Sequence, residues 1–212
     1  MSDLPEHAIM KLKNLLAFRA RLIKHKNALK VAAKEMADFS IPEWIEDIVE
    51  DSAHITAAVE AKIRKVEKQL KKIIAQQAEL QQIFDLVTSV KGIGMISAMY
   101  LIVYTNAFRA FPDARKFACY IGIAPFFRKS GSSTDQPAKV SPLGNRKLKS
   151  VLSNAVMAAI KHDQQLKAYY LRKLAEGKHK FSVMNAVKNK LVSRVFATVN
   201  RKTPYIEINA YA

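Results

Sequence analysis

The chain has one cysteine, Cys119, which rules out an internal disulfide framework and any zinc site built on cysteine pairs. Its five histidines, His7, His25, His54, His162 and His179, share no ligand spacing and read as surface residues. Long apolar runs are missing as well. The longest, Met95 to Val103, falls far short of the roughly 20 residues needed to span a bilayer. No secretory leader is legible ahead of the first charged helical pattern, so the expectation is a cytoplasmic protein with no membrane partner. Alternating strand patterns are absent beyond the short stretch PYIEI near the end, and the expected fold class is therefore all-α. Acidic residues are scarce, but only in part of the chain. Residues 1–85 hold 14 Lys+Arg against 13 Asp+Glu, whereas residues 86–212 hold 21 against 5, so nearly all of the net charge of +17 lies in the later part. An excess confined in this way points to a polyanionic partner, most often nucleic acid. A merely soluble basic surface and attraction to anionic lipid are the alternatives that composition leaves open.

What is present is ordinary globular material: 212 residues, 50% hydrophobic and 25% charged, enough for one or two domains. Leu12, Leu15, Leu16, Leu22, Ile23, Leu29 and Met36 recur at three- and four-residue steps and predict a first helix. A second start is signalled by Ser40 ahead of Pro42, with acids in the first turns. From there Val59, Ile63, Val66, Leu70, Ile73, Gln77, Leu80 and Phe84 keep heptad spacing, which predicts a helix of roughly 30 residues or about 45 Å. Such a seam has to be covered, either by the first helix folded back on it or by a second chain; Gln77 is a register-setting polar position or a filler. The charge shift near residue 85 divides the chain into a helical linker or coiled coil (1–85) and a basic helical domain (86–212).

In the second part, Val90-Lys91-Gly92-Ile93-Gly94 joins two apolar helical patterns. Two glycines two apart permit a tight turn that brings backbone N–H groups to a phosphate, or simply lets two helices pack. Lys91, Gly92 and Gly94 are candidate contacts, and the turn is helix-hairpin-helix-like. A short helix is expected over Asp113 to Tyr120, another after Ser141-Pro142, and two more near Gln164–Ala175 and Ser182–Val199. Tyr169 and Tyr170, beside Arg172 and Lys173, are either core residues or a stacking surface for unpaired bases. The acidic run Glu46, Asp47, Glu50 and Asp51 reads as a solvated helix face, and no metal site is expected.

The most unusual stretch is FFRKSGSSTDQPAKVSPLGNRKLKSVLS. It places Ser130, Ser132 and Ser133 among Arg128, Lys129, Lys139, Arg146, Lys147 and Lys149. A hydroxyl becomes a nucleophile where positive groups stabilise the charge that develops at the atom attacked. No histidine or carboxylate stands nearby as an evident base. From the residues alone the stretch is a phosphate-binding basic loop or a catalytic serine loop.

SVKGIGMISAMYLIVYTNAFRAFPDARKFACYIGIAPFFRKSGSS followed by VSPLGNRKLKSVL, with the later helix VMNAVKNKLV, resembles the carboxy-terminal domain of transposases of the insertion sequence 110/116/902 family. The resemblance covers residues 86 to about 200, and the helices before it resemble that family's linker. It implies a DNA transposase or recombinase whose nucleophile is Ser130, with Ser132, Ser133 and Asn145 of the Ser-x-x-Gly-Asn block among the phosphate or turn contacts. It also implies a structured guide RNA, and a resolvase-like domain whose four acids bind Mg2+. No such acidic constellation is legible in this chain, so a transposase part inactive on its own is expected, with no cofactor in the chain itself. Pro142 stands where the family usually has a basic residue, and Lys149 where arginine is common. Two readings follow: a transposase part carrying Ser130, pairing through its coiled coil, or a non-catalytic nucleic-acid-binding or dimerisation protein. The expected architecture is all-α, a long coiled-coil or helical hairpin followed by a compact basic helical domain.

Overall fold

A computed structural model of the chain describes residues 6–39, 42–126, 139–140 and 144–206. They fold as eight helices and one two-residue strand pair, in two compact units, Met1–Ala78 and Glu79–Ala212. The fold is all-α.

The first unit consists of α1 (Glu6–Phe39) and α2 (Pro42–Ala75), each 34 residues long. Proline opens α2, at the one place in a helix where its missing N–H costs nothing. The two helices run antiparallel: Arg19 pairs with Glu67 at 2.7 Å, while Lys30 and Lys26, further along α1, both reach back to Glu60 at 3.1 and 3.4 Å. Lys30 first, and Lys26 behind it, holds the Glu60 carboxyl below the usual carboxylate value. Between the helices Leu12 and Leu16 of α1 meet the level of Ile63, Val66, Leu70 and Ile73 of α2, all buried. The heptad seam is thus covered within the chain over this stretch. The stripe of α1 weakens toward its end, where Met36 is 41% exposed.

The seam does not continue in one helix to Phe84. α2 stops at Ala75, the Gln77 N–H donates to the Ile74 carbonyl at 3.1 Å in a tightened last turn, and a new helix starts at Ala78. Gln77 therefore sits in a break and not within a continuous seam. No proline or glycine marks that break. Its trace is the burial of two consecutive residues, Ile73 and Ile74, which a two-sevenths stripe does not require.

The second unit contains α3 (Ala78–Thr88), α4 (Met95–Tyr104), α5 (Ala114–Ile121), the pair β1 (Pro125–Phe126) and β2 (Lys139–Val140), α6 (Arg146–His162), α7 (Gln164–Ala175) and α8 (Lys180–Arg201). α6 is the central element, touching α4, α5, α7 and α8, and its buried face is Leu148, Leu152, Ala155, Val156 and Ala159. An aromatic cluster fixes α5 against α8: Phe117, fully buried, lies 5.5 Å from Phe196, and Phe196 meets Phe108 edge-on at 5.1 Å. Asp163 ends α6 and caps α7, its carboxylate accepting from the Leu166 N–H at 2.8 Å and from Arg194 of α8. A buried acid with both a cap and a cation ties three helices together.

Candidate nucleic-acid interface

The start of α6 is held by a close approach that only glycine allows. A Cβ on Gly144 would lie 2.3 Å from the Ile121 carbonyl oxygen and 2.5 Å from Gly122 Cα, so the chain entering α6 presses directly on the end of α5. Asn145 then caps the helix: its Oδ1 accepts from the Leu148 N–H at 3.0 Å and its Nδ2 donates to Tyr120 Oη at 3.1 Å. Ser141 and Pro142, the expected start of this helix, lie outside the described residues; the observed N-cap is Asn145. The side chain of Asn145 is therefore engaged in capping, and Lys149, one turn further on, donates to the Gly122 carbonyl at 3.2 Å.

The turn between α3 and α4 is placed differently from that basic cluster. Gly92 adopts φ +94°, and an added Cβ would lie 2.5 Å from Ala159 Cβ; its task is to let the turn pack on the last turns of α6. Gly94 faces open space and caps α4 without a side-chain hydrogen bond, and Lys91 is exposed. Ala159 lies 13 residues beyond Arg146, roughly 20 Å along the helix axis. Lys91, Gly92 and Gly94 therefore do not share a patch with Arg146, Lys147 and Lys149.

At the head of α6 the structure gathers what the sequence did not. Arg146, Lys149, Ser150 and Ser153 line one wall of a cavity of about 460 Å³, and Asn185 and Lys188 of α8 line the other. Lys188 is only 5% exposed. Its ammonium donates to Asn185 Oδ1 at 3.3 Å; burial, and then the neighbouring Lys149 cation, push its pKa below the usual lysine value. Among the described residues neither Arg146, Lys147, Lys149 nor Lys188 makes an ion pair. The described acids of this region are occupied elsewhere: Asp113 caps α5, Asp163 holds Arg194, and Glu176 binds Lys173, Lys178 and Arg172. Lys147 points instead over the Tyr100 ring at 5.5 Å. Beside it, burial and the neighbouring Tyr120 raise the Tyr104 pKa above the usual phenol value, partly offset by Asn145. The sequence did carry a signal for Lys188: it falls on the apolar face of α8, in register with Leu191, Val192 and Val195, and is the one cation among the described buried residues of that helix.

Residues 84–171 match the Transposase IS116/IS110/IS902 family. Over that stretch the chain is similar to this transposase family. Over 159 residues, or 74% of this chain and 38% of the relative, it is 28% identical to the insertion element IS110 uncharacterized 43.6 kDa protein of Streptomyces coelicolor. It is 24% identical to the pilin gene-inverting protein of Moraxella lacunata over 88% of this chain and 55% of the relative. To a probable family 20 transposase of Pseudomonas aeruginosa it is 25% identical over 69% of this chain and 43% of the relative. The chain thus spans about half or less of the length of these curated relatives.

The matched stretch runs from the end of α3 into α7 and contains the whole head of α6; the first unit and α8, with Lys188, lie beyond it. Arg128, Lys129, Ser130, Ser132 and Ser133 fall within the match but outside the described residues. Lys139 is described by its backbone alone, in β2, opposite Phe126. The antiparallel pair of β1 and β2 brackets residues 127–138. Tyr169, expected in the core or as a stacking surface, has Lys190 over its ring at 4.5 Å, with Arg172 and Lys173 at 5.7 and 5.9 Å. Among the described residues no group of three His, Cys, Asp or Glu is placed to hold a metal ion, so the described residues do not fit the Mg2+ that the family resemblance implies. Also among them, no helix is long and apolar enough to cross a membrane.

Proposed function

We propose that this chain acts on DNA as the strand-joining part of a transposase or recombinase, with Ser130 as its nucleophile. The observation that carries the reading is the family match over residues 84–171, which takes in both the Ser-Gly-Ser-Ser stretch and the cationic head of α6. Gene inversion, in the printed name of the Moraxella relative, and insertion, in that of the Streptomyces one, both require DNA to be cut and rejoined.

In this reading the Ser130 hydroxyl gives its proton to solvent and forms a bond to the phosphorus of a backbone phosphodiester. The bond from phosphorus to one deoxyribose oxygen breaks, and that oxygen takes up a proton as the new strand end. A second strand end then attacks the serine-linked phosphorus and releases the hydroxyl. One phosphate ester replaces another at each step, so no nucleotide has to be hydrolysed. Cations around the reacting phosphate, with Arg146 and Lys149 as candidates, favour the more highly charged transition state. The partners that this reading adds are DNA, a guide RNA, a second copy of the chain, and an acidic domain holding Mg2+.

The test is covalent trapping on a suicide DNA substrate, with the family's acidic domain supplied in trans. A protein–DNA adduct that forms with the wild-type chain and not with Ser130→Ala supports the reading. An adduct that persists in Ser130→Ala refutes the nucleophile, and the absence of any adduct beside an active control selects the non-catalytic, binding-only alternative.

A further inference from the structure

We propose that the cavity between α6 and α8 holds one backbone phosphate of an unpaired nucleotide, gripped by Lys188, Lys149 and Arg146, while the base of that nucleotide stacks on Phe181. The inference rests on the reading that the chain acts on nucleic acid and assigns one subsite within it.

The argument begins with the oddity of Lys188. A buried cation is tolerated when a carboxylate or a well-made hydrogen-bond set compensates it, yet Lys188 has one long bond to a neutral amide and a second cation, Lys149, close enough to lower its pKa. Among the described residues no acidic side chain lines the cavity. A site that collects cations without a counter-charge is built for an anion that arrives from outside. The amino end of α6, a 17-residue helix, adds partial positive charge in the same direction, and Ser150, Ser153 and Asn185 provide neutral polar groups for the remaining oxygens.

Phe181 selects the kind of anion. It lines the same cavity and is 70% exposed, an unusual position for a phenylalanine in a highly polar surface. Phe181, Asn185 and Lys188 follow one another at steps of four and three residues on α8, so they share one face, with Phe181 roughly 10 Å from Lys188 along the axis. An aromatic ring beside a phosphate grip is the arrangement used by proteins that hold single strands, because every unpaired base presents a π-face whereas bases in a duplex hide theirs.

Fluorescence anisotropy on the full chain tests this, using labelled single-stranded DNA, single-stranded RNA of the same sequence, and duplex DNA. Removing one phosphate contact in Lys188→Met is expected to weaken single-strand binding and to reduce the salt slope by about 1, so that its affinity falls roughly 3-fold less than that of wild type between about 50 and 200 mM salt. Lys188→Arg keeps the charge and the slope. Phe181→Ala, at an exposed position, is expected to weaken single-strand binding about 10-fold and to leave duplex binding unchanged. Unequal losses on DNA and RNA then identify which strand occupies the site. The proposal is overturned if Lys188→Met loses no more than the one-charge control Lys167→Met, or if Phe181→Ala affects single strands and duplex alike. Wild-type protein that shows no salt-sensitive binding to any of the three probes overturns the nucleic-acid reading itself, and this subsite with it.

Discussion

If Lys188 is kept for a ligand and not for the fold, replacing it by methionine should make the free protein more stable. Methionine has a similar length and no branching, so it can fill the channel that the lysine stem occupies. The substitution removes one hydrogen bond, to Asn185, a loss of about 1 kcal/mol; Asn185 is half-exposed and regains a partner from water. It also removes a 5% exposed cation facing Lys149 and Arg146, and the penalty for holding such an ion without a counter-charge is several kcal/mol. The balance is a gain of roughly 1 to 2 kcal/mol, or roughly 4 to 8 °C in melting midpoint for a unit of this size. The pH dependence has a definite sign. Because the folded protein lowers the Lys188 pKa, the unfolded chain binds more protons between that value and the ordinary one near 10.4. The penalty is therefore complete below the folded pKa and relieved as pH rises toward the unfolded one. Among the described residues the charged and polar groups facing Lys188 are Lys149, Arg146, Ser150 and Ser153 from α6 and Asn185 from its own helix; none of these is acidic, so none of them reverses the trend by titrating as a carboxylate. Circular dichroism melts at about pH 7 and about pH 9.5 should show the advantage of Lys188→Met shrinking at the higher pH. A variant that melts below wild type at both values would mean that Lys188 has a structural partner, and the reasoning fails.

Other substitutions test the frame around that cavity. Gly92→Ala, with its Cβ driven to 2.5 Å from Ala159 Cβ at φ +94°, should cost about 3 kcal/mol in urea unfolding, and the double variant with Ala159→Gly should recover part of it; full additivity of the two would sink the contact. Arg194→Met leaves the Asp163 carboxylate buried and unpaired, with an expected loss of about 3 kcal/mol, and a loss below about 1 kcal/mol would mean that the ion pair carries little. Leu70→Lys places a charge at a fully buried position of the first unit and should open the α1–α2 pair, seen as a fall in helical signal, at a cost of about 3 kcal/mol or more. Sedimentation of that variant also shows whether copies pair through the same seam, since pairing that survives must use another surface.

Much of this architecture is legible in the order of residues because it is local. The 3.6-residue periodicity of Val59 to Ile73, proline at the start of α2, and the Gly/Pro breaks near residues 92 and 112 are properties of neighbouring residues, and the helices they predict are present. The range Gln164–Ala175 is observed as expected. Charge asymmetry is also one-dimensional, and with the ordered motif blocks it is enough to point to a nucleic-acid-acting family. The end of α2 at Ala75 was not legible, because no glycine or proline marks it.

The functional surface divides along the same line. Composition and motif order by themselves determined an all-α chain, a basic later part and the similarity of residues 84–171 to a transposase family. Only the tertiary structure decided that Gly92 packs on α6 instead of sharing a site with Arg146, that Asn145 caps a helix, and that Lys188, 39 residues after Lys149 in the chain, faces the same cavity. A helix fixes which residues share its own face, but which two faces meet is set by the packing of several helices at once. A lone lysine on an apolar stripe therefore remains ambiguous until the helix opposite it is in place.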